Sequence, residues 1–304
     1  MKSKSTFLGP LGGLRGLLGL MMSLLATGLP ACDSNDPAVL PEQGPGNNFA
    51  GEATARIDAG SDNSRVEDPA DAMLAQTALR MLDSGRFEEA EALLRNEIDE
   101  SDERSRLQFL LGIAMQKQKR YGPAIARLDA ALASGRAFPE RRHAAHFRGW
   151  CLFYLGRPEA SAVAFRSHLE VMPDEADSHF GLGVALLETG EPEAALPAFE
   201  SAIVLNQAIP ERRRDLAKAL IRRGDAYWEL DRIEDAQMSF QKGIVQFPDH
   251  YEGWAKLARA MDRLGDPVRA ERARFEEQQA RIRVGAPLGD PESDSELNSS
   301  KDLP

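Results

Sequence analysis

The fold is decided by residues 145–173, AHFRGWCLFYLGRPEASAVAFRSHLEVMP, in which two amphipathic segments flank a turn at residues 156–158. Apolar residues recur at three- and four-residue spacing on both sides of this turn, which indicates two helices. Small Gly149 and Ser161 fall where the helices cross, and bulky Phe165 is placed to seal their shared face. The stretch therefore predicts an αα-hairpin.

This pattern of small and bulky residues occurs six times in the chain. The small residue that opens the second helix recurs at spacings of 34, 37, 34, 41 and 34 residues. Leu or Phe follows four residues later in five copies, and the last copy has Arg274 instead. One hairpin cannot bury its apolar face alone, so the copies are expected to stack as a solenoid. The six small residues are Ala90, Ala124, Ser161, Ala195, Ala236 and Ala270.

A 34-residue period with small residues at helix crossings, and with Pro173 and Pro248 closing units, resembles the tetratricopeptide repeat (TPR). The likeness covers about residues 71–282 and is specific for fold but not for function. It implies an all-α, right-handed solenoid of about six helix-turn-helix repeats within residues 69–284. The predicted repeats are about 71–104, 105–138, 142–175, 176–209, 217–250 and 251–284.

Two features distinguish individual repeats. The motif Pro-Glu-Arg-Arg stands at residues 139–142 and again at 210–213, which predicts first helices lengthened at their starts in the third and fifth repeats. The second helix of the last repeat, residues 268–283, is polar nearly all round. It is predicted to be a solvated cap that ends the array.

The N-terminus resembles an export signal. Lys2, Lys4 and Arg15 precede an apolar run at residues 17–29, which is too short to span a bilayer but suits a signal peptide at residues 1–31. Leu-Pro-Ala before Cys32 resembles a bacterial lipobox, in which the cysteine receives a diacylglycerol. The resemblance implies a lipid-anchored protein of the bacterial cell envelope, on the inner or outer membrane and facing the periplasm. An ordinary signal peptide with a chance cysteine, or an uncleaved anchor, is the open alternative.

The segments that flank the array differ from it in composition. Residues 32–68 are rich in Pro, Gly, Asn and Asp without an apolar period, which predicts a disordered tether after the lipidated cysteine. Residues 285–304 carry five acidic side chains against Lys301, which predicts a disordered acidic tail.

Charge and motifs exclude several functions. The formal net charge is −11, and it becomes −11 − 3 = −14 once a signal peptide with three positive charges is removed, so nucleic acid is not an expected partner. No phosphate loop, HExxH motif or paired CxxC motif occurs, and Cys151 is predicted to be a small core residue. His143 and His146 lie one helical turn apart, but nothing supplies a third metal ligand. The sequence predicts no enzyme, no cofactor and no metal.

The TPR resemblance implies that the first helices line a concave groove that holds a protein or peptide. Aromatic residues gather in the third repeat as a predicted apolar anchor, and basic residues flank it toward the C-terminal end. Packing of Trp150 and Phe153 between repeats is an equally open interpretation. By register, the predicted groove residues are Phe109, His143, His146, Phe147, Trp150, Phe153, Tyr154, Phe180, Lys218, Arg222, Trp228, Lys256 and Arg259.

These observations predict a non-enzymatic, membrane-tethered TPR scaffold that binds a protein or peptide on its concave face. TPR lipoproteins of this layout resemble assembly factors for pili, secretion systems and other cell-envelope machinery. The alternative is a soluble secreted or periplasmic adaptor, or a self-associating TPR protein, without a lipid anchor. The oligomeric state and the identity of the partner are left open by the sequence.

Overall fold

The computed structural model describes residues 68–98 and 104–287, and every regular element within these ranges is helical. The predicted signal peptide, Cys32, the tether up to residue 67 and the acidic tail from residue 288 lie outside the described residues. None of the helices in the described ranges is both long and apolar enough to cross a membrane.

The described α-helices form six consecutive pairs, as the repeat pattern predicts. They are α1 (Pro69–Asp83), α2 (Phe87–Glu97), α3 (Ser105–Lys117), α4 (Tyr121–Ala133), α5 (Ala144–Tyr154), α6 (Pro158–Val171), α7 (Ala176–Glu188), α8 (Pro192–Gln207), α9 (Arg213–Glu229), α10 (Ile233–Gln246), α11 (Tyr251–Arg263) and α12 (Pro267–Val284).

The small-residue register of the hairpins is confirmed. All six small residues that open the second helices are fully buried. In the third pair, the Ser161 hydroxyl donates to the carbonyl of Gly149 at 2.9 Å. A Cβ on Gly149 would lie 2.9 Å from a ring carbon of Phe165, so only glycine lets the two helices approach this closely. A small residue at the crossing and a buried bulky residue beside it therefore build the first five hairpins.

A single residue with positive φ reverses the chain within each pair. It is the second residue after the first helix in every case. Glycine, which adopts this conformation without steric cost, occupies four of the positions. Lys119 and Asp231 adopt φ angles of 60° and 59° at the other two, where a side chain makes the same turn less favourable. The four glycines are Gly85, Gly156, Gly190 and Gly265.

Helix starts follow their sequence signals. The Oδ1 atom of Asp68 accepts a hydrogen bond from the backbone N–H of Ala70 at 2.9 Å and caps α1. Each Pro-Glu-Arg-Arg motif contributes to a 3₁₀ turn, at Arg141–His143 and Pro210–Arg212, that runs directly into α5 or α9. The first helices of the third and fifth repeats are thus lengthened at their starts, by 3₁₀ rather than α-helical turns.

Stacking places the first helices on the inner side of the array. Each second helix packs against the first helix of the following pair. The first helices α3, α5, α7 and α9 also contact one another in succession. Helices that approach their equivalents in neighbouring repeats lie on the inside of a curved stack, so the concave face consists of first helices.

Candidate ligand-binding face

The aromatic cluster of the third repeat is largely core. The ring of Trp150 lies 5.2 Å from that of Phe165 and 6.3 Å from that of Phe180, between centroids. Its indole N–H donates to Oδ2 of Asp177 at 3.0 Å, and only 8% of the residue is exposed. These contacts fill the seam between the third and fourth repeats. The structure therefore favours the interpretation in which Trp150 packs between repeats.

Several other predicted groove residues are also buried. Phe109 is fully inaccessible, with its ring centroid 5.5 Å from that of Phe138 and 5.8 Å from that of Phe147. Phe147, Phe180 and His146 are buried as well. A ligand cannot contact these side chains in this structure, and their assignment to the groove is corrected to inter-repeat packing. The physical reason is that close helix crossings at small residues leave wider gaps nearby, which large rings fill.

A hydrogen-bonded chain of polar side chains is buried beside Trp150. The Ser178 Oγ atom lies 2.7 Å from Nδ1 of His146 and 2.7 Å from Nδ1 of His168. Nε2 of His146 lies 3.2 Å from Oδ2 of Asp177. One proton arrangement satisfies all three contacts: His168 Nδ1–H donates to Ser178, the Ser178 hydroxyl donates to His146, and His146 Nε2–H donates to Asp177. In this hydrogen-bonded arrangement, Nε2 of His168 is buried without a hydrogen-bond partner among the described residues.

Burial and charge set the protonation of this chain. Burial by itself raises the pKa of Asp177, but hydrogen bonds from His146 and Trp150 and the charge of Lys218 hold it below its usual value. Burial, with smaller contributions from His146 and His143, lowers the pKa of His168 to about 3. His168 is therefore neutral and Asp177 ionised at neutral pH.

The buried chain contains a serine, two histidines and an aspartate, but its geometry is structural. Ser178 is fully buried, so its hydroxyl has no path to a substrate. Within residues 68–98 and 104–287, no group of three His, Cys, Asp or Glu side chains is arranged to hold a metal ion. His143 and His146 therefore have no third ligand in these ranges. Cys151 is buried too, and burial raises the pKa of its thiol to about 12, which makes the thiolate scarce.

An open depression occurs on the concave face between the fourth and sixth repeats. Its volume is about 500 Å³, and α7, α9 and α11 all contribute to it. The predicted groove residues Arg222, Trp228 and Lys256 come together here. The residues that line it are Leu187, Glu188, Gly190, Arg222, Asp225, Trp228, Glu229 and Lys256.

The depression carries both signs of charge, whereas the sequence predicts a basic flank. Lys256 Nζ lies 2.7 and 2.6 Å from the two carboxylate oxygens of Asp225, and Arg222 Nη1 lies 3.3 Å from Oδ2 of the same residue. Lys218 Nζ is paired with Asp215 at 3.1 Å. Asp225 is missing from the prediction, although its position three residues after Arg222 on one helix face is a signal for an ion pair.

Trp228 provides the apolar surface of the depression. The guanidinium groups of Arg259 and Arg263 lie 5.3 and 5.4 Å from the centre of its ring, within cation–π range. At the rim, burial and the neighbouring charges of Asp225 and Glu188 raise the pKa of Glu229. An aromatic floor with acidic and basic groups around it is suited to a polypeptide with an apolar side chain and polar neighbours.

The remaining predicted groove residues lie at the two ends of α5, with His143 before its first residue and Phe153 and Tyr154 at its last turn. His143 and Phe153 are partly exposed, and Tyr154 is exposed. Tyr154 stacks on Tyr121 with 4.8 Å between ring centroids. Burial and the neighbouring Tyr121, Asp177 and Cys151 raise the pKa of Tyr154 to about 12, so its phenol stays protonated. None of these residues lines the depression at Trp228.

Comparison with known proteins agrees with the helix pairs. A family model described as a tetratricopeptide repeat matches residues 149–211 and 221–280. Two segments of the chain therefore match the tetratricopeptide repeat. The matched residues include the crossing of Gly149 with Ser161 and all the residues that line the depression. No curated protein sequence matches the chain.

Solved TPR structures share the architecture at low sequence identity. A MamA chain from Desulfovibrio magneticus RS-1 that runs from residue 41 to the end is 17% identical, and the alignment covers 60% of this chain and 98% of that one with a TM-score of 0.52. The pilF protein of Pseudomonas aeruginosa is 18% identical over 76% of this chain and 98% of its own, with a TM-score of 0.56. A chain of the APC/C hetero-tetramer Cut9–Hcn1 is 13% identical over 76% and 43%, with a TM-score of 0.58. At these identities the likeness concerns the fold alone.

Proposed function

We propose that this chain is a membrane-tethered TPR scaffold that binds a protein or peptide on its concave face and helps to assemble or organise a cell-envelope complex. The observation that carries the proposal is the depression at Trp228, which three successive first helices build from an aromatic ring and charged groups. TPR proteins bind protein partners, and this depression offers an accessible aromatic surface among polar groups on the inner face of the described array.

The contacts in the depression indicate how a partner binds. Trp228 is partly exposed and supplies the apolar contact, as aromatic anchors commonly do in protein interfaces. Arg222 and Lys256 already bind Asp225, so a partner carboxylate competes with an internal one. We therefore expect apolar contact with Trp228 to dominate affinity, while the surrounding charges adjust association rate and salt dependence.

Membrane tethering rests on the sequence. Basic residues, the apolar run at 17–29 and Cys32 after a small residue support export followed by lipidation. Radiolabelled palmitate is expected to label the full chain in a bacterial host and to be lost in Cys32→Ala. Equal labelling of both chains would refute the anchor while leaving the binding face untouched.

A site-specific photo-crosslinker tests the binding face. Placed at Glu229, on the rim of the depression, it is expected to form one dominant adduct in intact cells. The yield of this adduct is expected to fall when Trp228→Ala is added, while the melting temperature of the protein stays nearly constant. The same crosslinker at exposed Val163, on the second helix α6, is the matched control. Identical adducts from both positions, or an adduct indifferent to Trp228→Ala, would move binding away from the concave face.

A further inference from the structure

The outward side of α12 bears an apolar stripe. Val268, Phe275 and Ile282 are 77%, 57% and 58% exposed. They are spaced seven residues apart, which places them on one side of an α-helix. The sequence predicts a cap that is polar nearly all round, and the stripe departs from this expectation. One apolar residue in every two turns is too sparse to stand out in the sequence pattern.

Other second helices also expose apolar residues, but not at the register position that Phe275 occupies. Phe275 lies five residues after the small residue that opens its helix, and the equivalent positions in the other five second helices are polar. Burial against neighbouring repeats does not require an apolar residue there, because the position faces solvent in every repeat. A large exposed apolar side chain at such a place indicates an interaction surface. The five polar equivalents are Arg95, Asp129, Arg166, Glu200 and Gln241.

Basic side chains accompany the stripe. By helical geometry, Arg272 and Arg283 flank it on one side, with Arg269 beyond them, and the exposed Glu271 flanks it on the other. The described ranges contain 31 Lys and Arg against 32 Asp and Glu, a sum of −1, but α12 alone has five Arg against three Glu, a sum of +2. Arg269 and Arg283 contact Asp266 and Asp249 at 2.8 and 2.6 Å. These pairs are exposed, so other carboxylates can replace them at little cost.

The chain turns back on itself where α12 ends. Gly285 has a φ of 69°, and the backbone N–H of Ala286 donates to the carbonyl of Arg281 at 2.9 Å. The Arg281 side chain then donates to the carbonyl of Pro287 at 3.0 Å. Pro287 therefore lies beside the last turn of α12. The residues that follow, 288–304, contain five acidic side chains and one lysine, a sum of −4.

We propose that residues 288–304 bind along the outward side of α12 of the same chain, with their carboxylates on its arginines and their leucines on the stripe. Asp290, Glu292, Asp294 and Glu296 occupy every second position, so an extended segment presents all four on one side over roughly 20 Å. The span from Arg269 to Arg283 along a helix is also roughly 21 Å. Leu288 and Leu297 flank the acidic residues and supply apolar contacts at both ends.

The tail fits this surface better than the other possible occupants. A stable dimer needs a buried area on the order of 1,200 Å² or more, and three apolar side chains on one helix provide only a fraction of it. A tethered segment needs fewer contacts, because its effective concentration is on the order of millimolar. An anionic lipid surface would be repelled by the acidic residues that follow Pro287.

Crosslinking at Phe275 tests the proposal on the full chain. A p-benzoylphenylalanine at position 275 is irradiated in an equal mixture of ¹⁴N- and ¹⁵N-labelled chains, and crosslinked peptides are identified by mass spectrometry. We expect crosslinks to residues 288–304 within uniformly labelled pairs, with a yield that falls roughly threefold or more in high salt. Arg166, the equivalent position on α6, is the matched control and is expected to give no tail crosslinks.

Charge variants and vesicles provide the second measurement. Replacing Asp290, Glu292, Asp294 and Glu296 by their amides is expected to reduce the crosslink yield by a similar factor, with an unchanged melting temperature. Three outcomes would overturn the proposal: no crosslinks to the tail, crosslinks mainly between differently labelled chains, or a yield indifferent to the amides. Equal binding of phosphatidylglycerol vesicles by the full chain and by a chain ending at residue 287 would also contradict it, because a bound tail must compete.

Discussion

A Cβ atom on Gly181 would lie 2.4 Å from Cζ of Phe165, a residue of the preceding repeat. A Cβ atom on Gly149, in the same repeat as Phe165, would lie 2.9 Å from Cε1 of that ring. Phe165 therefore fills a slot between two glycines that belong to different hairpins. The array depends on such paired contacts, in which one helix lacks a side chain where another has a large one.

Gly181→Ala is expected to destabilise the array by about 1–3 kcal/mol, because the buried ring of Phe165 has no space into which to shift. The melting temperature reports the loss. Ser167→Ala, at an exposed position on α6, is the control and is expected to change stability by less than about 0.5 kcal/mol. Adding Phe165→Leu to Gly181→Ala should recover part of the loss. Equal melting temperatures for Gly181→Ala and the parent chain would contradict this packing.

The two tryptophans Trp150 and Trp228 are expected to respond differently to truncation. Trp150→Ala removes a buried ring and a hydrogen bond to Asp177, so it should cost about 3–5 kcal/mol of unfolding free energy. Trp228→Ala removes a partly exposed ring and should mainly weaken binding of the partner, by roughly 2 kcal/mol or more of binding free energy. Denaturant unfolding and a binding measurement on both variants test the contrast. Similar stability losses in the two variants would place Trp228 in the core.

Stability is expected to fall as the pH decreases from about 6.5 toward 3. The folded pKa of His168 is about 3, below the unfolded value of 6.5, so acid protonates the unfolded chain while the folded chain stays neutral at this site. Well below pH 6.5, one such proton changes the unfolding free energy by about 1.4 kcal/mol per pH unit. His250, whose pKa burial lowers to about 4, acts in the same direction above pH 4.

Replacing His168 isolates the contribution of its imidazole to the pH dependence of the unfolding free energy. His168→Asn retains a donor for Ser178 but cannot be protonated, so its unfolding free energy should fall less steeply between pH 6.5 and 4. Urea unfolding at several pH values provides the measurement, and Ser167→Ala, which removes no titratable group, should keep the parent slope. A His168→Asn slope as steep as that of the parent would show that His168 is accessible to protons in the folded chain.

Lys119→Gly is expected to stabilise the second repeat by about 0.5–1.5 kcal/mol, because Lys119 has a φ of 60° where four other repeats have glycine. Asp231→Gly should gain less, since aspartate tolerates this conformation better than lysine. Thermal unfolding of both variants tests the order. Gly156→Ala, the reverse change at the equivalent turn of the third repeat, should destabilise, and a neutral result there would argue against turn strain.

Much of the architecture follows from the sequence. The spacing of Ala90, Ala124 and their equivalents predicts six helix pairs, and the structure buries every one of these residues. The turn predicted at residues 156–158 also forms, with Gly156 in the left-handed region. Such features depend on neighbouring residues and on a period, which a single sequence displays directly.

The binding face depends on tertiary structure instead. The sequence places Trp150, Phe147 and Phe109 on the helices that line the groove, but it does not tell whether a ring points into the groove or into the seam between repeats. The structure places all three in the seam. A rotation of a helix by a fraction of a turn separates these outcomes, and the packing of adjacent repeats decides it.

Long-range contacts decide the polar groups in the same way. The sequence predicts a basic flank that includes Arg222 and Lys256, whereas the structure joins both to Asp225. Likewise, the contact of His146 with Ser178 joins residues 32 positions apart in adjacent repeats. The period of the sequence thus determined which residues build each hairpin. Only stacking of the hairpins decided which side chains stay exposed, because exposure depends on the distance and rotation between helices that are far apart in the chain.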